Sequence, residues 1–342
     1  MRPPAASEEM VAEPPAPPEI GAVGASPWRI AGRRLRRNRT ALAFGALFLV
    51  LVATSLAAPL WAEHVAHRGP SQGNLSGKIE IGGERRDVVA LDGVPIGPTW
   101  RGEYFLGADQ NGRDIMVRLL YGGRNSLSIG VAAALLTMLL ATALGLLAGY
   151  FRGWIDGLIT KLLDVLWAFP PILLGIALGV ALTLGGLNLG VVEIPSGSKA
   201  VPIFVIAVVG APYIARPVRG LVLSLREKEF VEAARAQGAG HLRIMFSELL
   251  PNLASTLLVL FTLDVAVAIQ TEAALSFLGA GVQPPDSSWG TMIGEGVNLL
   301  TTAEHLAIVP GVMLVLTTLA LNIFGDGVRD ALDPRAKIRI ER

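Results

Sequence analysis

Long apolar runs alternate with polar connectors along this chain. The runs cover Ala41 to Ala62, Ser126 to Tyr150, a stretch from about Leu158, Val201 to Leu223, Leu253 to Ile269 and Leu306 to Phe324. Most approach or exceed the ~20 residues that a helix needs to cross the hydrocarbon core of a bilayer. The pattern predicts an all-α integral membrane protein with six transmembrane helices. Two runs carry their own punctuation. Pro170 and Pro171 break or kink the third by removing backbone donors, which membrane helices tolerate only where protein or a water-filled cavity re-satisfies the freed groups. Pro202, Pro212 and Pro217 make the fourth run irregular.

The connectors set the domain organisation. Residues 1–28, rich in Pro, Ala, Glu and Gly, bury too little apolar area to offset their ordering entropy and read as a disordered cytoplasmic tail. Residues 29–62 combine an arginine cluster (Arg29, Arg33, Arg34, Arg36, Arg37, Arg39) with the first span, and the positive-inside rule places that cluster in the cytoplasm. A cleavable signal peptide fits poorly, because the run has spanning length and no convincing small-residue cleavage site. Residues 63–124 form an extracytoplasmic loop whose alternating runs Lys78 to Ile81 and Asp87 to Leu91 predict short strands. Residues 125–325 hold the other five spans, including an outward loop from Gly185 to Ala200, and 326–342 close the chain as a cytoplasmic tail with Arg329, Arg335, Lys337, Arg339 and Arg342. Both termini are therefore expected in the cytoplasm.

Composition agrees with a life in lipid: 52% of the 342 residues are hydrophobic, and mean hydropathy is +0.53. With 29 Lys and Arg against 28 Asp and Glu, there is no nucleic-acid footprint. The chain has no cysteine and four scattered histidines, which removes thiol chemistry and makes a metal site or a metal cofactor unexpected.

The most informative stretch is a polar island, residues 229–252, reading EFVEAARAQGAGHLRIMFSELLPN. Arg216, Arg219, Arg226 and Lys228 precede it, so charge and parity both put it in the cytoplasm. Glu229, Phe230, Ala233, Ala234 and Gln237 recur at helical spacing and predict one small apolar face able to approach a partner closely. Gly238 and Gly240 then break the helix. A second short helix, His241 to Leu250, is expected at an angle to the first, before Pro251 opens the next span. The plainer reading is an amphipathic connector lying on the membrane surface.

In order, Glu232-Ala233-Ala234, Gly238 and Leu250-Pro251 resemble the EAA loop of ABC-importer permeases, the cytoplasmic segment that docks on the ATPase subunit. Other segments agree: Gly107-Ala108-Asp109 through Arg113-Asp114, Arg118 to Leu127, Ala168-Phe169-Pro170-Pro171, Gln270 to Gly279 with Gln283-Pro284-Pro285 and Ser288-Trp289-Gly290, and Gly325 to Arg335. From Arg29 to Arg335 the chain is similar to the second permease subunit of dipeptide, oligopeptide and nickel ABC importers. It departs in its long tail, its enlarged first outward loop, the loop at Gly185 to Ala200, an Ala at position 108 and Glu248 within the island.

The resemblance implies a type I ABC-importer permease fold and a bacterial inner-membrane location. It implies a permease subunit forming half of a translocation pathway for peptides, with a homologous second permease, two ABC ATPase subunits and an extracytoplasmic solute-binding protein as partners. Coupling to the ATPase would fall to Glu229, Phe230, Glu232, Ala233, Ala234, Arg235, Gly238, Ala239, Arg243, Leu250 and Pro251. The pathway would involve Phe169, Pro170, Pro171, Glu272, Ser276 and Phe277. The chain carries no phosphate-binding Gly-rich loop followed by Lys and Ser or Thr, so ATP is expected on the partner subunits and not here. An ion-coupled secondary transporter would need intramembrane ionisable groups, for which Asp164, Asp264 and Glu272 are the candidates, although they lie towards segment ends and no inverted repeat is evident. A membrane enzyme lacks any catalytic motif. Asp164 is expected to pair with Lys161 or an arginine near the cytoplasmic surface.

Overall fold

The structure, a computed structural model, describes residues 27–332 apart from 189, 191 and 192; most of the proposed N-terminal tail and Arg335, Lys337, Arg339 and Arg342 lie outside the described residues. The elements run α1 (Pro27–Arg37), α2 (Arg39–Leu56), α3 (Ala58–His64), β1 (Lys78–Ile81), β2 (Glu84–Asp87), α4 (Ile115–Phe151), α5 (Gly153–Trp167), α6 (Pro171–Gly185), β3 (Leu187–Asn188) and β4 (Glu193–Ile194). They continue with α7 (Ala200–Leu225), α8 (Glu229–Ala236), α9 (His241–Arg243), a π turn (Ile244–Leu249), α10 (Leu250–Phe277), α11 (Trp289–Gly296), a short 3₁₀ turn (Val297–Leu299) and α12 (His305–Leu332). Five helical segments are long and apolar enough to cross a membrane, and α5 with α6 makes a sixth, broken span bent by 90°.

The six spans are those the hydropathy predicts, but several boundaries move. The second begins at Ile115, not Ser126, because Asp114 caps it: its carboxylate accepts from the amide of Val117. Burial pushes the Asp114 carboxyl up from its ordinary range. The turn before the third span shrinks to Arg152 and Gly153, both at positive φ (56° and 63°), so α5 starts at Gly153. The fourth span is one continuous helix despite its prolines. The fifth runs on to Phe277, which places Asp264 near the middle of a spanning helix, whereas Glu272 stays towards its C-terminal end as expected. The last extends through Leu332, so the segment after residue 325 starts as helix and not as tail.

Two apolar clusters hold the bundle. One gathers Leu127, Ile129, Ala133, Val205, Ile206, Ile269, Leu275 and Trp289 from α4, α7, α10 and α11. The other gathers Leu146, Tyr150, Leu163, Val218, Val222, Val231, Ile244 and Leu249 at the end that carries the polar island. The central pair is α4 against α7. Gly145 and Gly149, one helical turn apart on α4, bring the backbones together: a Cβ on Gly145 would stand 2.7 Å from the carbonyl oxygen of Ala215, and one on Gly149 would stand 2.7 Å from the Val222 side chain. This small-xxx-small spacing permits close helix approach in a bilayer, where helices gain little from burying apolar surface that lipid already covers.

The loop after the first span contains the first expected strand, but its partner is Glu84–Asp87 and not Asp87 to Leu91, because the tight turn at Gly82 and Gly83 folds the chain straight back: β1 pairs antiparallel with β2, Lys78 opposite Asp87 and Ile81 opposite Glu84. Beyond the hairpin, Val88, Tyr104 and Ala108 form a small core of their own. The loop after Gly185 forms a second minimal hairpin, β3 with β4.

Candidate functional site

Polar and irregular features concentrate at three places: the polar island, the Arg118 lock at the other end of the bundle and the break between α5 and α6. The island is held by its apolar residues. Val231 on α8 is fully buried and joins Ile244, Met245 and Leu249 of the π turn, with Phe230, Ala234 and Ala239 packed partly against them. Phe230 and Ala234 thus face the chain's own core and leave the expected docking face. The exposed face of α8 is Glu229, Glu232, Ala233, Arg235 and Gln237. After Gln237 caps the helix, Gly238 takes φ +81°, a left-handed conformation that a side chain disfavours. Nothing lies within 4 Å of where its Cβ would be, so the site is open as well as sharply turned.

The second island helix is not a separate element. His241–Arg243 runs through the π turn into α10, so Leu250 and Pro251 belong to a spanning helix, Pro251 where the π turn gives way to α-helix. Arg243 and Pro251 are exposed, and so are two large apolar residues that periodicity did not single out, Leu242 (69%) and Phe246 (58%). Their signal in the sequence was faint, since apolar residues beside a span look like part of it. Polar contacts brace the island against α4: the hydroxyl of Tyr150 meets Nδ1 of His241 at 2.9 Å, Arg152 donates to Glu227 at 2.8 Å, and Arg226 donates to the carbonyl of Tyr150.

On the opposite side, the segments from Gly107 to Leu127 and from Gln283 to Gly290 lock together. Arg118, 2% exposed, donates from Nη1 to Asp109 at 2.5 Å and to Glu295 on α11 at 2.5 Å, with Nη2 to Glu295 at 3.1 Å. Arg113 reaches the same two carboxylates at 2.6 and 3.0 Å. Asn125 donates to the carbonyl of Ser287 at 2.7 Å, and the buried Trp289 indole donates to the carbonyl of Leu119 at 3.1 Å. Gly122 and Gly123 make room, since a Cβ on Gly123 would stand 2.9 Å from the Trp289 ring.

Glu272 and Ser276 belong to this packing and not to an open wall. Glu272 is fully enclosed and accepts from the Ser276 hydroxyl at 2.6 Å, while Ser276 Oγ accepts from the amide of Val282 at 3.0 Å. Phe277 and Phe169 are exposed.

At the break, α5 stops at Trp167 and α6 starts at Pro171, with Pro170 extended between them at φ −56°, ψ 126°. Arg216 of α7 pairs with Asp164 at 2.5 Å and stacks on the Trp167 ring at 3.4 Å, so an arginine and not Lys161 is the partner of Asp164. Arg219 grips Asp156 through two bonds of 2.6 and 2.7 Å. The broken span is therefore clamped to α7 on its α5 half. Above the break lies a cavity of about 290 Å³ lined by residues of α4, α6, α7 and α10. Among the described residues, no group of three or more His, Asp or Glu is placed to hold a metal ion.

Residues 141–338 match the family described as binding-protein-dependent transport system inner membrane component, and residues 26–74 match the N-terminal TM domain of oligopeptide transport permease C. The chain is 38% identical over 312 residues to the glutathione transport system permease protein GsiD of Pectobacterium atrosepticum, covering 91% of this chain and 92% of that relative. The chain belongs to this permease family. A second relative, the dipeptide transport system permease protein DppC of Alkalihalophilus pseudofirmus, is 36% identical over 321 residues and 94% of both chains. In fold, the permease is similar to a chain of the MetNI methionine ABC transporter solved in inward-facing conformations, with TM-score 0.52 at 19% identity, covering 64% of this chain and 98% of that one. It is an integral membrane permease of a bacterial ABC importer with the type I fold, and nothing among these relatives supports an ion-coupled carrier.

Proposed function

We propose that this permease forms half of the translocation pathway of a peptide importer, together with a homologous second permease, two ATPase subunits that bind the ATP, and an extracytoplasmic solute-binding protein. Relatives described as dipeptide and glutathione permeases, both 36% or more identical over at least 91% of this chain, support a peptide-like solute. The observation that carries the coupling reading is the island: α8 presents Glu229, Glu232, Ala233 and Arg235 outward while Val231 fixes it to the spanning bundle.

A partner that presses on α8 would move α10 with it, because Val231 packs α8 onto the π turn, which runs into that span without a break. ATP-bound and ATP-free forms of the ATPase pair, pressing differently on the same knob, would then bias two arrangements of the pathway. Exposed Leu242 and Phe246 supply the apolar part of the contact, and Arg243, Leu250 and Pro251 lie along the same segment. The pathway reading of Phe169, Pro170 and Pro171 rests on their place at the break. The island and both termini are read as cytoplasmic from the arginines that flank the first span and precede the island.

Co-expression with the ATPase subunits and purification through a tag on this permease tests the coupling. The wild-type chain should retain the ATPases, and Glu232→Ala should lose them with the membrane fold intact. If wild-type permease recovers no ATPase, the coupling reading fails. Gly238→Val is expected to leave insertion and folding in place, since no neighbour crowds the site, while forcing a branched side chain into a left-handed turn at a cost of about 1–2 kcal/mol. Turn and knob would then reorganise, and solute-stimulated ATP hydrolysis should fall together with uptake. Normal uptake by Gly238→Val removes the turn from the coupling mechanism.

A further inference from the structure

Asp264 sits halfway along α10, far from either end of a spanning helix, and its Oδ2 is buried with no hydrogen-bond partner. It lines the cavity of about 290 Å³ above the α5–α6 break, with Thr137 of α4, Gly210 and Tyr213 of α7, Thr271 of α10 and Pro171 of α6. No Lys, Arg or His lines that cavity. A carboxylate left alone against hydrocarbon is costly, so a spanning helix carries one where the surface it faces is a polar path or a partner group. The rim of the cavity includes Ile172, Tyr213 and Val267, which are exposed, so the cavity that holds the carboxylate opens to the outside of this chain.

Two of the three hydroxyls that line the cavity are already committed as donors, and the third, on Tyr213, belongs to the exposed rim. Thr137 gives its proton to the carbonyl of Ala133 and Thr271 gives its proton to the carbonyl of Val267, each at 2.8 Å. Both oxygens therefore turn lone pairs, not protons, to any further ligand. Gly210 keeps the space beside Thr137 free, since a Cβ there would stand 3.2 Å from the threonine methyl. A carboxylate and two acceptor hydroxyl oxygens, in a cavity otherwise apolar except for Tyr213 at its rim, form a site for a group that is positively charged and has several N–H donors.

We propose that Asp264 binds the primary ammonium group of the solute as it crosses the permease. The chemistry is that of –NH₃⁺: three donors and one charge, matched by one carboxylate and the two threonine oxygens. The aliphatic floor of Ile206, Val209 and Ala268 takes the carbon frame next to that ammonium. This assignment rests on the peptide reading above, since a peptide with a free amino terminus carries such a group. It gives the importer a second, weak recognition step after the binding protein has released its cargo.

The test uses the complete importer, with second permease, ATPases and binding protein, in proteoliposomes. Asp264→Asn keeps the side chain's shape while removing the charge and replacing an acceptor by a donor. With the same binding protein on both, uptake of labelled glycyl-leucine or glutathione by the variant should drop in apparent affinity by about tenfold or more, the size expected for losing a hydrogen bond to a charged group. Assembly and solute-free ATP hydrolysis should stay at wild-type levels. In parallel, the purified complexes are titrated with ethylammonium chloride, with tetramethylammonium chloride as the cation that lacks N–H donors. Ethylammonium should raise the unfolding temperature of the wild-type complex saturably and leave Asp264→Asn unmoved, and tetramethylammonium should protect neither.

Unchanged uptake by Asp264→Asn, or no ethylammonium protection of the wild type, overturns the site. Loss of assembly in the variant also overturns it, by assigning Asp264 to a contact between permease subunits. Asp264-dependent ethylammonium protection in an importer that carries neither peptide upholds the ammonium site and sinks the peptide reading instead.

Discussion

Replacing Arg118 by alanine is expected to produce a permease that inserts but unfolds far more readily than the wild type. The guanidinium is 2% exposed and is held between Asp109, whose side chain is 6% exposed, and Glu295 on α11. Removing it leaves the Asp109 carboxylate buried, with Arg113 as its remaining cationic partner. Truncating one member of a buried charge pair costs about 3–5 kcal/mol when the other charge is left uncompensated, and the ion pair from Arg113 to Asp109 holds the loss here to the lower end of that range. The effect also spreads, since the lock joins the outward loop, the start of α4 and α11. Heating detergent-solubilised protein and following the monodisperse fraction should show the loss. Asp109→Asn added to Arg118→Ala should recover part of it, because the stranded charge is then gone. Strict additivity of the two substitutions would show that the pair is not coupled.

Gly145→Leu is also expected to be strongly damaging, by a different route. Its Cβ alone would come within 2.7 Å of the Ala215 carbonyl oxygen and 2.8 Å of the Val218 side chain, and a backbone oxygen cannot rotate aside. Overpacking a tight contact costs about 1–3 kcal/mol or more, and here the two most intimately packed spans must separate to relieve it. Gly157→Leu is the matched control: it lies in α5 with nothing within 4 Å of its added Cβ and should be tolerated. The yield of folded protein after solubilisation distinguishes them. Equal yields of the two variants would mean that α4 and α7 slide apart without penalty, and the close approach of their backbones would not be what holds the bundle.

The substitutions at Gly145 and Arg118 also show where sequence reading stopped. Gly145 and Gly149 carry a spacing that is visible in the chain, yet which helix they meet depends on the bundle. Arg118 looked like one residue of a motif with no stated job. Its partners Asp109 and Glu295 lie 9 and 177 positions away along the chain, and the second distance is closed only by folding. The same holds for Glu272. The family resemblance implied a place on the pathway for it, whereas its enclosure by Ser276 and neighbouring segments makes it part of the packing.

The island shows a finer version of the same limit. Helical spacing grouped Glu229, Phe230, Ala233, Ala234 and Gln237 correctly as neighbours on a helix. It could not say that Phe230 and Ala234 turn inward with Val231, because that choice is made by where Ile244 and Leu249 stand. The glycine turn was legible, since a left-handed residue after a helix end favours glycine for a local steric reason.

What this sequence determined by itself is the set of properties that depend on neighbours along the chain: the apolar lengths that make six spans, the arginine asymmetry, the strand-forming outward loop, the helix–glycine–helix order of the island and the motif order that marks the permease family. Transfer of apolar side chains and local backbone sterics act on a few consecutive residues, so a linear pattern records them. Tertiary structure alone decided the 90° course of the broken span, the Arg118 lock, the face that α8 turns outward and the setting of Asp264 among acceptor oxygens. Each of these depends on which side chains from distant segments share a volume, and close packing and the pairing of buried charges settle that only when all the spans are in place.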